Sequence, residues 1–215
     1  MANPQLPNLP AEIMSKIIEL IGEESALYLG AFMRAGIRGY ELVQEPSILK
    51  RCNVTHMVNE SPCQIGNSGN FRNFFLKCVN VGNIDAVYYE GLHRSTTLGV
   101  EEGINVLERN VPTHVLSTLA VGIFYVCLGK EMEAITVFQQ LAANGVDLKS
   151  EAIFEIGDEL ETRLLSFHAP FLNTYCRTLK FPQADFLAHS NTVNDEDLCK
   201  NCCLHWFFLK ISHRL

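Results

Sequence analysis

The chain has 215 residues, 47% apolar and 19% charged, with a formal net charge of -7. This composition supports a packed core and excludes global disorder. The acidic balance argues against a nucleic-acid backbone as main partner, because phosphate binding needs clustered Lys and Arg.

No apolar run reaches the roughly 20 residues of a membrane span. The opening MANPQLPNLP lacks the basic-then-apolar order of a secretory signal. Eight cysteines without such a signal predict reduced thiols in the cytoplasm or nucleus.

Residues 1–7 read as a loose polar lead with Pro4 and Pro7. A helix is expected over residues 10–21, with Pro10 in its first turn and Glu12 near the positive end of its dipole. Ile13, Met14, Ile17, Ile18 and Ile21 recur at helical spacing as one apolar face, and Gly22 is expected to end it. Ser25 caps a second helix to about Ala35. A third runs over residues 38–43 and stops before Pro46, since the residue before a proline is disfavoured in α geometry. Residues 51–70, with Pro62, Gly66, Ser68 and Gly69, read as a linker and domain boundary.

Residues 71–81 are the next expected helix, ended at Gly82 and Asn83. From there the chain repeats itself. At an offset of thirty-one residues Asp85 and Ala86 fall on Leu116 and Ser117, Tyr89 on Ala120, and Gly91 on Gly122. Glu102 then falls on Glu133, Gly103 on Ala134, Ile104 on Ile135, Val106 on Val137 and Leu107 on Phe138. Gly99 and Gly129 fall one residue short, as a one-residue insertion in the turn requires. A period of this length marks stacked helix pairs, which bury an apolar face against one another and present binding surfaces. An amphipathic helix follows over residues 149–167, with Ile153, Ile156, Leu160, Leu164 and Leu165 inward and Glu151, Glu155, Asp158, Glu159 and Glu161 outward. A short helix over 171–179, an acidic loop over 190–197 and a closing helix over 198–215 complete an all-α chain.

The phrase Leu9-Pro10-x-Glu12-Ile13-Met14-x-x-Ile17-Ile18, then Ser25, then Glu45-Pro46-Ser47-Ile48-Leu49, resembles an F-box. At residues 35–40, where that family often has Val-Cys-Lys-x-Trp, Arg38 keeps a cation and Tyr40 takes the place of the aromatic. The phrases at 82–92 and 117–124 are similar to tetratricopeptide and Sel-type repeats. The whole resembles a plant-type family in which a degenerate F-box precedes a short helical-repeat domain. The resemblance implies a three-helix module at 8–50 and a solenoid-like repeat domain at 71–215 with a C-terminal capping helix. It also implies an adaptor of the SKP family, and through it a cullin, as partner of the first, with Leu9, Pro10, Ile13, Met14, Ile17 and Pro46 as the docking residues. The repeat domain would then hold a target protein for ubiquitin transfer, with no catalytic residue and no cofactor of its own. The second reading is a helical scaffold outside any ligase.

Two further groups have competing readings. Cys199-x-x-Cys202, with Cys176 and His205, has the ligand types of a zinc site; on a helix the same side chains simply pack. No local signature around any cysteine supports a nucleophile. Tyr88, Tyr89, Phe124 and Tyr125 either line a groove or fill the space between helices, and filling is the commoner role of aromatics at helical spacing. The acidic face at 151–161 reads as solvated.

Overall fold

The computed structural model describes residues 9–60, 62–148, 150–167, 210–211 and 215. Among these residues there are eleven α-helices and no strand, as the all-α expectation requires. They divide into two compact units, Met1–Tyr89 and Glu90–Leu215.

The first unit opens with α1 (Ala11–Glu24). Pro10 precedes it with an extended backbone, and the first helical bond runs from Met14 N–H to the Pro10 carbonyl at 3.1 Å. Gly22 does not end this helix. It lies inside the last turn, where a Cβ would stand 3.3 Å from Leu29 and 3.4 Å from Cys52. The missing side chain lets the returning chain come close, and Asn53 N–H bonds the Gly22 carbonyl at 2.8 Å.

Ser25 caps a 3₁₀ turn (Ala26–Tyr28) that leads into α2 (Leu29–Arg34). Then come α3 (Ile37–Val43) and α4 (Pro46–Arg51), the latter with Pro46 in its first turn, where a missing N–H leaves no bond unmade. α4 packs on α1, and α3 on α2.

The expected linker at 51–70 is instead part of this unit. It holds α5 (Thr55–Glu60) and a 3₁₀ turn (Pro62–Ile65), and it buries Cys52, Val54, Met57, Val58 and Ile65. The small and polar residues around Gly66 to Gly69 make a tight turn rather than a tether, with Gly69 N–H on the Gly66 carbonyl at 2.9 Å. α6 (Arg72–Asn80) then packs on α4 and adds Phe75 and Cys78 to the core.

The border between units falls within α7 (Ile84–Thr97). The second unit continues with α8 (Val100–Leu107), a 3₁₀ turn (Glu108–Asn110), α9 (Val115–Cys127), α10 (Glu131–Ala143) and α11 (Glu151–Ser166). Its centre is α9, buried at every position from Ser117 to Phe124. A helix apolar all round belongs inside, and α8, α10 and α11 each pack against it. The two hydroxyls within its buried stretch are satisfied locally. Ser117 Oγ lies 2.8 Å from His114 Nδ1 and 3.2 Å from Asn110 Nδ2, and Thr118 donates to the His114 carbonyl at 2.8 Å.

Two residue pairs related by the thirty-one-residue offset make like contacts. A Cβ on Gly91 would meet Leu107, and a Cβ on Gly122 would meet Phe138, both closer than 3.0 Å; the two glycines and the two bulky residues are each one period apart. The helix starts match as well. Asn83 Oδ1 accepts from Ala86 N–H at 3.0 Å, and His114 Nδ1 accepts from Ser117 N–H at 3.3 Å. Gly99 and Gly129 turn each pair with positive φ, 120° and 67°, a region open to glycine at little cost.

Candidate functional site

On α1 the isoleucines expected to share a face separate into two. Met14, Ile18 and Gly22 face the core, Met14 at 1% exposure. Ile13 and Leu20 lie on the opposite margin at 50% and 53% exposure. Ile17 and Ile21 are half-buried between them. Leu9 is half-buried, and Pro10 and Pro46 are exposed. Of the six residues that the F-box resemblance assigns to docking, five therefore keep accessible surface. Met14 does not: it is a core residue, because successive isoleucines and methionines along a helix lie about 100° apart and only one margin can face inward. Leu20, which the resemblance leaves out, extends the same stripe about one turn beyond Ile17.

The remaining side of α1 is charged. Glu19 takes Lys16 at 2.8 Å and Arg51 of α4, and Glu23 takes Arg51 at 2.7 Å. The Lys16 hydrogen bond, followed by the charge of Arg51, holds the Glu19 carboxyl below its usual range. Ser15 reaches Glu45 at 3.3 Å. Arg38 donates to the Leu9 carbonyl at 2.6 Å, which brings the start of α3 beside the start of α1. Ile37, at the head of α3, is 79% exposed. Tyr40 is exposed rather than a core aromatic. Lys77 lies over its ring, 5.4 Å from the centroid, and donates to its hydroxyl at 3.2 Å and to Gln44 at 2.6 Å.

The second unit carries a cleft of about 470 Å³. Its lining is Glu108, Val111, Pro112, Val121, Tyr125, Glu133, Thr136, Val137 and Gln140. Its walls are tied at both ends. Tyr125 donates its phenol to Glu108, and Asn144 donates to the Pro112 carbonyl at 2.6 Å. Desolvation, then the Glu108 carboxylate, push the Tyr125 phenol up to about 12. Of the four aromatics singled out in the sequence, Tyr88, Tyr89 and Phe124 are buried filling, and Tyr125 alone faces the cleft.

The acidic face of α11 is partly neutralised. Lys210 binds Asp158 and Glu161, both at 3.0 Å, and Arg163 lies 3.6 Å from Glu159. Cys176, Cys199, Cys202 and His205 lie outside the described residues. Among the described residues no group of three His, Cys, Asp or Glu is arranged to hold a metal. Cys52 and Cys78 are buried thiols with sulfurs 3.6 Å apart; the Cys52 contact and burial push the Cys78 thiol far above its ordinary range, which makes it a packing residue and a poor nucleophile. No helix among the described residues is long and apolar enough to cross a membrane. The chain matches no family model, no curated protein and no solved structure.

Proposed function

We propose that the chain is a substrate-recruiting subunit of an SKP–cullin–F-box ubiquitin ligase. The adaptor docks on α1, the repeat unit holds the target, and the ubiquitin chemistry belongs to the partner enzymes. The observation that carries this reading is the stripe of Pro10, Ile13, Ile17 and Leu20. Water-facing Ile and Leu two turns apart on one helix have no role in the chain's own core. Contiguous exposed apolar surface marks an interaction site. The Leu-Pro opening and Glu45-Pro46 close of the resemblance stand at the starts of the two helices, α1 and α4, that pack together.

The test is capture of a purified SKP-family adaptor by the full-length chain. Wild type is expected to retain the adaptor. Ile13→Asp is expected to weaken capture by about tenfold or more, as loss of an anchor does, and Leu20→Asp to do the same. Ile135→Asp, on an exposed position of the other unit, serves as the control. Failure of wild type to bind, or equal capture by Ile13→Asp, removes the ligase reading. The second reading, a helical scaffold outside any ligase, is favoured by two observations: Met14 is sealed in the core, and Lys77 occupies Tyr40.

A further inference from the structure

We propose that the cleft walled by the Glu108–Asn110 turn, α9 and α10 is a docking site for a basic peptide segment. A lysine or arginine would sit against Glu108 and Glu133, and aliphatic neighbours on Val111, Pro112 and the edge of Val137. This deepens the substrate side of the ligase reading, and it rests on the repeat unit being the target-binding half.

Size comes first. A cleft of about 470 Å³ lies within the roughly 300–1,000 Å³ range of ligand clefts, and it is wider than one side chain needs. The lining is also divided by chemistry. Among the described lining residues Val111, Pro112, Val121 and Val137 are aliphatic, and the two carboxylates, Glu108 and Glu133, belong to exposed residues.

Charge then selects the occupant. Among the described residues no cation lines the cleft. Glu133 makes no ion pair or hydrogen bond with a described residue, and Glu108 spends one acceptor site on Tyr125. The Lys130 ammonium stands 5.9 Å from the Tyr125 centroid and 3.4 Å from Glu101. An acidic segment in the cleft would bring like charge against two carboxylates, and an apolar one would strip their water without replacing it. A basic one replaces that water with charge-assisted hydrogen bonds. The ties between Tyr125 and Glu108 and between Asn144 and Pro112 hold the walls in place beforehand, which lowers the ordering cost of binding.

The test uses the full-length chain and a fluorescein-labelled Leu-Arg-Leu-Lys-Leu peptide, read by fluorescence anisotropy. The same peptide with both basic residues replaced by glutamine is the comparator. The basic peptide is expected to bind at least about tenfold more tightly than the glutamine peptide. Paired Glu108→Gln and Glu133→Gln replacement is expected to remove that difference. Glu131→Gln, exposed on α10 but outside the cleft, is expected to leave it intact. All three are exposed positions, so the fold is retained. Three results overturn the proposal: no binding of the basic peptide, equal loss with Glu131→Gln, or displacement by free lysine at the peptide's own affinity. The last would make the cleft a site for small cations. Adaptor capture measured on the same cleft variants stays at the wild-type level, so failure here is distinguishable from failure of the α1 stripe.

Discussion

The helices α7 and α8 and the helices α9 and α10 share a glycine-to-bulky-residue contact at one sequence offset, and three of the positions at which they differ are instructive. Gly103 in the first pair is Ala134 in the second. A Cβ at Gly103 would stand 2.6 Å from the Ser95 Cβ and 2.9 Å from the Gly91 carbonyl, so the first pair brings backbone to backbone where the second carries a methyl group. Leu107 is fully buried against Gly91, whereas its counterpart Phe138 is only half-buried against Gly122. Ile104 is 4% exposed and its counterpart Ile135 is 49% exposed. A shared period thus specifies which residues meet within a pair. It does not specify what covers the pair from outside, and the second pair keeps an open flank on α10 with Met132 and Ile135 exposed.

The largest expected contrast is at that flank. Ile104→Ala should cost about 3 kcal/mol, as a truncation in a packed core does. Ile135→Ala should stay within about 0.5 kcal/mol, as surface changes do. Urea titrations followed by circular dichroism compare the two; equal costs would mean that Ile135 is covered in solution.

A smaller contrast concerns the glycines. Gly91→Ala meets the branch carbon of a buried leucine and should cost about 2 kcal/mol, the penalty of overpacking. Gly122→Ala meets the outer atoms of the Phe138 ring, which has room to turn. There the helical preference for alanine, about 1 kcal/mol, offsets most of the strain. If the second replacement proves as costly as the first, the two pairs are equally tight and the distinction drawn from Phe138 is wrong.

The caps give the smallest contrast. His114→Ala should cost about 1 kcal/mol, the ordinary worth of an N-cap, and His114→Asn should restore it. Asn83→Ala should cost about 2 kcal/mol, because its amide also donates to the buried carbonyls of Leu49 and Cys52 at 3.0 and 2.8 Å, and carbonyls left unpaired are expensive. Thermal melts of the three variants check the order; a silent Asn83→Ala would show that water takes over those bonds.

The period was legible because glycine and a bulky apolar residue recur together, and that pairing has a steric reason. The caps at Asn83 and His114 were half legible: asparagine is a common cap, histidine an uncommon one, and only the offset links them. Which margin of α1 faces inward was not legible, since Ile13, Met14, Ile17 and Ile18 have nearly equal hydrophobicity and the choice is made by where α4 lands. Residues 51–70 misled for a related reason. Pro62, Gly66 and Gly69 punctuate a turn as readily as a tether, and the buried Met57, Val58 and Ile65 are too few and too irregular to show a period. The cleft left no trace at all, because Glu108 and Glu133 come from a turn and a helix with α9 between them.

The side chain of Asn83 has a practical corollary for dissecting the protein. Any fragment cut within the apparent tether would part α4 from the amide that satisfies its last carbonyls, and from Phe75 and Cys78 as well. Protease sensitivity or poor solubility of such a piece would report an opened core and nothing about adaptor affinity. The shortest piece that keeps this region whole has to reach into α7.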